Sequence, residues 1–226
     1  MSVAKARGTK TKAKSAASGR RVPDGQASDG KSARGRARRE MILNAATELF
    51  QRHGFHATGI DDIGSAVGIT GPGVYRHFES KHHLLAAIVE RAISLHGDIV
   101  RGVRDGRSAP VDALIELVSE SARLIVENRE LSGLFFQEMR NLAPEDRGRL
   151  ARQQRLLITE WVDLLLQVRP ELSEEEARVV VHGVGGVLNS VATYNTTMDT
   201  DRLLDLLVTT ALAGMLAKRG PAARLA

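Results

Sequence analysis

The sequence predicts an all-α protein of about nine helices, with a three-helix N-terminal unit followed by a larger helical bundle. Three observations carry that expectation. The 226-residue chain is 42% hydrophobic but only 4% aromatic, and its apolar residues sit in Ala- and Leu-rich stretches mixed with Glu and Arg, a composition that favours helices. Apolar residues recur at spacings of three and four, so each stretch has one apolar face. Capping residues, glycine stops and prolines punctuate the chain at helix-length intervals. We find no convincing strand and no repeat of 20–50 residues.

The elements follow in order. In "RARREMILNAATELFQRHG", Ile42, Ala45, Ala46, Leu49 and Phe50 make an inward face, and Gly54 ends the helix. Thr58 precedes "GIDDIGSAVG" with Asp61 three residues on, a capping-box-like start. Ile60, Ile63 and Val67 point inward, and Gly68 stops this second helix. Thr70 is an N-cap for a third helix with Pro72 in its first turn, where the missing N–H costs little. Val74 and Phe78, four apart, point inward; Tyr75, Arg76 and His77 take the sides and outer face.

A fourth helix begins near Ser80, and five more follow. One starts behind Pro110, a short one begins at Arg129, and a long one runs from Pro144 to just before Pro170. Ser173 and Glu176 form a capping box for the next, and the last spans Asp199 to Gly220.

Composition narrows the function classes. The absence of cysteine excludes disulfides, thiolate metal sites and a cysteine nucleophile. No run approaches the roughly 18 apolar residues of a membrane span, and the first 30 residues lack a secretory apolar core. The expectation is a cytoplasmic protein with no membrane partner. The net charge of +5 is uneven. Residues 1–35 hold nine basic residues against Asp24 and Asp29, so the remainder of the chain is slightly acidic. With almost no large apolar residues this basic tail is expected to lack structure. The readings for it are a DNA-tethering arm, a solubilising tail, a misassigned start or a cloning remnant, and residues 221–226 are expected to be a flexible end.

Two short helices joined by "VGIT" have the dimensions of a helix-turn-helix, whose second helix enters the DNA major groove. Gly71 and Gly73 would let the backbone approach DNA, with Pro72 stiffening the first turn. Tyr75 and His77 would donate toward phosphate or a base edge, and Lys81 would add charge at the same rim. Arg36, Arg38 and Arg39 continue the basic tail into the first helix and extend the footprint. The alternative is a plain helical hairpin with a surface tyrosine.

Residues 40–85, "EMILNAATELFQRHGFHATGIDDIGSAVGITGPGVYRHFESKHHLL", resemble the DNA-binding region of TetR/AcrR-family transcriptional regulators. The matching pieces are the "A…LF…G" first helix, Thr58 opening the second, "VGIT" as the turn, and "VYRHFESK". Gly64, where alanine is common, and Pro72, where a basic or polar residue is frequent, depart from the pattern. The resemblance implies a homodimeric, ligand-responsive repressor on a palindromic operator. Residues 36–83 would form the helix-turn-helix DNA-binding domain and residues 84–220 the domain for effector binding and dimerisation. It further implies phosphate contacts by Thr58, Thr70, Tyr75, His77 and Lys81, with Gly71 and Gly73 nearest the base edges.

For the larger domain, the expected dimer surface is the last two helices, through Val184, Val187, Val191, Leu204, Leu207, Val208, Ala211 and Met215. Burial of these stripes within one subunit is the alternative. The expected effector is a small hydrophobic molecule, met by Phe135, Phe136, Met139, Arg140, Trp161, Asn189 and Tyr194. The segment "RELSGLFFQEMRNLAPEDR" faintly resembles lipid-metabolism regulators of the same family that bind acyl-CoA thioesters, and Arg140 or Arg123 would suit such an anion. No cofactor, metal site or catalytic residue is expected. His53 and His56, and His77, His82 and His83, lack the fixed helical spacing of a metalloprotease motif, which leaves a helical enzyme as the weaker alternative. A nucleoid-type protein that binds DNA without sequence preference through its tail is another.

Overall fold

The computed structural model describes residues 25–192 and 196–217, with side chains from Ala33 onward except that of Phe136. All nine α-helices among the described residues come in the expected order: α1 Gly25–His53, α2 Ile60–Ala66, α3 Gly71–Tyr75, α4 Lys81–Asp105, α5 Pro110–Glu127, α6 Arg129–Glu138, α7 Pro144–Val168, α8 Glu174–Asn189 and α9 Thr200–Leu216. Short 3₁₀ turns follow α6 (Met139–Asn141) and α8 (Ser190–Ala192).

The chain divides into two units, residues 1–37 and residues 38–226. In the first, residues 25–37 are helical, although the composition predicts no structure before residue 36. Ala, Arg and Lys between the glycines tolerate helix well, and no proline interrupts them. The rest of the tail and the final residues of the chain lie outside the described residues.

The second unit holds three apolar clusters. The first joins Ile42, Ala46 and Phe50 of α1 to Ile63 of α2, Val74 of α3 and Leu84, Leu85 and Ile88 of α4. Leu131 and Leu134 of α6 enter the same cluster, so the helix-turn-helix shares its core with a helix some fifty residues later. The second joins α5, the end of α7, α8 and α9 around Leu114, Val118, Val162, Leu165, Val184 and Leu207. A small third cluster packs the end of α4 on α5 through Val100, Val103 and Leu117. Side chains such as Phe50 and Leu165, each essentially fully buried, contribute about 1.5–3 kcal/mol apiece.

Helix ends follow sequence chemistry. Ser80 accepts the His83 N–H at 3.1 Å, and Ser173 and Glu176 form the reciprocal capping box predicted for α8. The α9 N-cap is Asp199, which accepts from Asp201 N and Arg202 N. At the other end of α9 the buried Arg169 donates to the Met215 carbonyl at 2.9 Å, closing a terminus that would otherwise leave a carbonyl unpaired.

The expected dimer stripes lie within the subunit's own core, not on a free surface. Val184, Val191, Leu207, Ala211 and Met215 are buried in the subunit's own second cluster, and Val187, Leu204 and Val208 are half-buried against it. The stripes face inward because α5 and α7 cover them. What α8 and α9 leave exposed is another face, with Val179, His182, Gly183 and Gly186 on α8 and Leu206, Thr209, Thr210, Ala213 and Gly214 on α9.

Candidate nucleic-acid interface and effector cavity

The helix-turn-helix is built from its breaks. Gly54 takes a left-handed φ of 81° and its N–H bonds the Phe50 carbonyl at 2.8 Å. This ends α1 as the sequence predicts. The start of α2 differs from expectation. Thr58 is buried and its hydroxyl donates to Leu49 O (3.2 Å) and Gly54 O (3.0 Å), tying the loop to α1. Gly59 is the N-cap, and the Asp62 carboxylate accepts its N–H at 2.8 Å. Thr58 therefore caps no amide of α2, and its hydroxyl is turned inward rather than toward a phosphate.

At the far end, Gly68 has φ 70°. Its N–H bonds Ser65 O at 3.2 Å and the Ile69 N–H bonds Gly64 O at 2.9 Å, the two bonds of a Schellman motif. Arg38 Nη1 donates to Val67 O at 3.0 Å, so this arginine closes α2 instead of standing ready for DNA. Arg39 lies 4.6 Å over the Phe78 ring, a partly exposed cation–π contact.

The glycines between α2 and α3 serve packing. A Cβ on Gly64 would lie 2.8 Å from the Ile69 carbonyl oxygen and 3.1 Å from the Thr70 carbonyl carbon. One on Gly71 would overlap the Asp61 carboxylate, and one on Gly73 would sit 3.3 Å from Ile69 Cβ. All three point into the α2–α3 contact, so Gly71 and Gly73 do not turn their missing side chains outward. Gly64 is buried, not a penalty inside an exposed helix, because only a hydrogen fits beneath the turn.

The outward face of α3 is then Thr70, Pro72, Tyr75 and Arg76, all exposed, with His77 half-buried at the side. The Thr70 hydroxyl makes no cap bond. Among the described residues Arg76 has no hydrogen-bond or ion-pair partner, so it is a charge available to a ligand. Sequence reasoning places Arg76 on the outer side without choosing it as a contact. The signal is there, since Arg76 stands two residues after the inward Val74, about 200° around the helix.

Lys81 is the largest departure. Its ammonium donates to Phe55 O (2.7 Å), Thr58 O (2.8 Å) and, more weakly, His56 O (3.4 Å), and sits 4.5 Å over the Phe55 ring. All three N–H donors are directed into the α1–α2 loop, and burial lowers the pKa of the group from its ordinary value. The residue acts as a strut between α4 and that loop. The histidines are separately engaged: His56 Nε2 lies 3.3 Å from Asn141 Oδ1, and His83 Nδ1 lies 3.2 Å from Glu79.

The larger part of the second unit contains a cavity of about 690 Å³ among α4, α5, α6, α7 and α8. Phe135, Trp161 and Asn189 line it as expected. Met139 and Arg140 do not: Met139 packs on the first apolar cluster, and Arg140 is exposed on the 3₁₀ turn after α6. Arg123 is exposed beside Glu120 at 3.7 Å, also away from the lining. The Phe136 side chain and Tyr194 lie outside the described residues. Sequence reasoning missed His96, Ser121 and Ser132, which periodicity marks only as polar interruptions of helical faces.

Known proteins share both parts of this architecture. Residues 42–88 match the bacterial regulatory proteins of the tetR family, and residues 107–215 match the tetracyclin repressor-like C-terminal domain. The chain is similar to the HTH-type transcriptional activator FasR of Mycolicibacterium smegmatis, 36% identical over 40% of this chain and 46% of that protein. It is similar to the HTH-type transcriptional regulator UidR of Escherichia coli, 30% identical over 55% of this chain and 62% of that protein. In both cases the match spans less than two thirds of the relative's own length. Its fold is that of AibR, solved in complex with isovaleryl coenzyme A and operator DNA, with a TM-score of 0.68 at 19% identity over 76% of this chain and 97% of that one.

Proposed function

The chain belongs to the tetR family of bacterial regulatory proteins, and from that premise we propose that it is an effector-responsive transcriptional repressor acting as a homodimer on a palindromic operator. The observation that carries the reading is the outward row of α3. Thr70, Pro72, Tyr75 and Arg76 stand exposed on a helix whose geometry is set from behind by Gly64, Gly68, Gly71 and Gly73. A tyrosine hydroxyl, a threonine hydroxyl and an unpaired guanidinium are phosphate- and base-binding groups. The exposed faces of α8 and α9 supply the dimer contact, replacing the inward stripes.

Two helices link cavity and DNA face. Ala92, Ile93 and His96 of α4 line the cavity, while Leu84, Leu85 and Ile88 of the same helix sit in the helix-turn-helix core. On α6, Ser132 and Phe135 line the cavity and Leu131 and Leu134 pack into that core. An effector that moves either helix changes the spacing of the two α3 helices in a dimer, which supports release from DNA.

The test is footprinting of the full chain on the intergenic region beside its own gene. The expected result is a discrete protected palindrome. Uniform protection of all DNA would support the nucleoid-type reading instead.

A further inference from the structure

Among the described residues that line the cavity there is no Lys, Arg, Asp or Glu, and its walls are chiefly Ile93, Ile125, Phe135, Leu157, Ile158 and Trp161. His182, exposed on α8, stands at its rim. An anionic head group brought inside would give up part of its hydration without meeting a cation among the described lining residues, which disfavours it.

Of the polar residues that line it, His96 of α4, Ser121 of α5 and Ser132 of α6 come from helices that pack on one another, Gln154 enters from α7, and Asn189 and Ser190 donate to the Gly185 and Val187 carbonyls. Ser121 is 1% exposed, and its hydroxyl has no hydrogen-bond partner among the described residues. Unpaired buried hydroxyls are uncommon in native proteins and call for an explanation. His96 Nδ1 lies 3.2 Å from the Ala92 carbonyl. A carbonyl only accepts, so Nδ1 carries the proton. Burial lowers the pKa of the ring and keeps it neutral, which leaves a lone pair on Nε2.

We infer that the effector is an uncharged, largely apolar molecule bearing a hydroxyl group, whose oxygen accepts from Ser121 and whose proton is donated to His96. A hydroxyl is the smallest neutral group that both accepts and donates, which matches a donor and an acceptor that line the same cavity. The inference rests on the proposed role of this cavity as the effector site. It selects against carboxylates and coenzyme A thioesters.

The test measures binding of 1-decanol, decanoate and decanoyl-coenzyme A to the full chain by calorimetry and thermal shift. The three probes share one tail and differ in the head group. The alcohol is expected to bind at least about tenfold tighter than either anion, and Ser121→Ala and His96→Leu are each expected to weaken it about fivefold, the worth of one net hydrogen bond. Tighter binding of either anion overturns the inference. So does absence of alcohol binding at its solubility limit, or unchanged alcohol affinity in both variants. Operator binding is measured in parallel. A chain that binds operator but prefers an anion fails only this inference, whereas one that prefers the alcohol but binds no operator fails only the functional reading.

Discussion

Replacing Lys81 with alanine separates two roles for one residue. As a strut, Lys81 holds Phe55, His56 and Thr58 carbonyls and covers the Phe55 ring whether or not DNA is present. A hydrogen bond from a charged donor contributes about 1.5–3 kcal/mol, and the cation–π contact about 0.5–1 kcal/mol at a partly exposed site. The bond to His56 O is long, and water regains access to the half-exposed loop after truncation. The net loss is therefore about 2 kcal/mol, the scale of one good bond plus the ring contact. For a chain of this size each kcal/mol moves the melting temperature by roughly 2–4 °C, so Lys81→Ala should lower Tm by about 4–8 °C without DNA. The assay is thermal unfolding by circular dichroism, run beside operator binding at several salt concentrations. An unchanged Tm together with a salt slope reduced by about 0.9, the signature of one phosphate no longer neutralised, would refute the strut and restore the phosphate-binding role expected from sequence.

Arg76→Ala should weaken operator binding and lower the salt slope by about 0.9 if the guanidinium meets a phosphate, with Tm within about 1 °C because the side chain is exposed and unpaired; operator titrations and a melting curve check both. Deleting residues 1–35 should lower the same slope by about 0.9 for every phosphate the tail neutralises, and an identical slope in the truncated chain would remove the tail from the interface. Val179→Asp with Leu206→Asp, on the exposed faces of α8 and α9, should convert a dimer to monomers in sedimentation equilibrium; a persistent dimer would place the interface elsewhere. His96, whose pKa burial lowers in the folded state, binds its proton more weakly there than in the unfolded chain. Its contribution to stability is complete above about pH 6.5 and declines as pH falls below it, by at most about 1.4 kcal/mol per unit. Denaturant titrations from pH 7.5 to 5 should show that decline, and His96→Gln should flatten it.

Much of this molecule follows from local chemistry that a sequence displays directly. Gly54 and Gly68 end their helices in left-handed conformations, Ser80 and Ser173 cap theirs, and prolines open α5 and α7. These features depend on residues within a few positions of one another, so their spacing along the chain is sufficient information. Val74 and Phe78 turn inward as their periodicity predicts.

The candidate sites depend on longer separations. Periodicity marks the apolar stripes of α8 and α9 but cannot say whether α5 and α7 or a second subunit covers them, because both give the same pattern. The direction of Gly71 and Gly73 depends on how α2 lies against α3, and the partners of Lys81 are more than twenty residues away. The cavity exists only where five helices meet, and its neutrality reflects which faces meet there, not the composition of any one of them. The order of amino acids alone settles the family and most of the helices with their ends, since these rest on short-range hydrogen bonding and patterning; the start of α2 and the helical part of the tail escape it. Which polar groups remain unpaired and able to meet DNA or effector is settled by packing, because a donor's availability depends on the acceptors that the fold brings within about 3 Å of it.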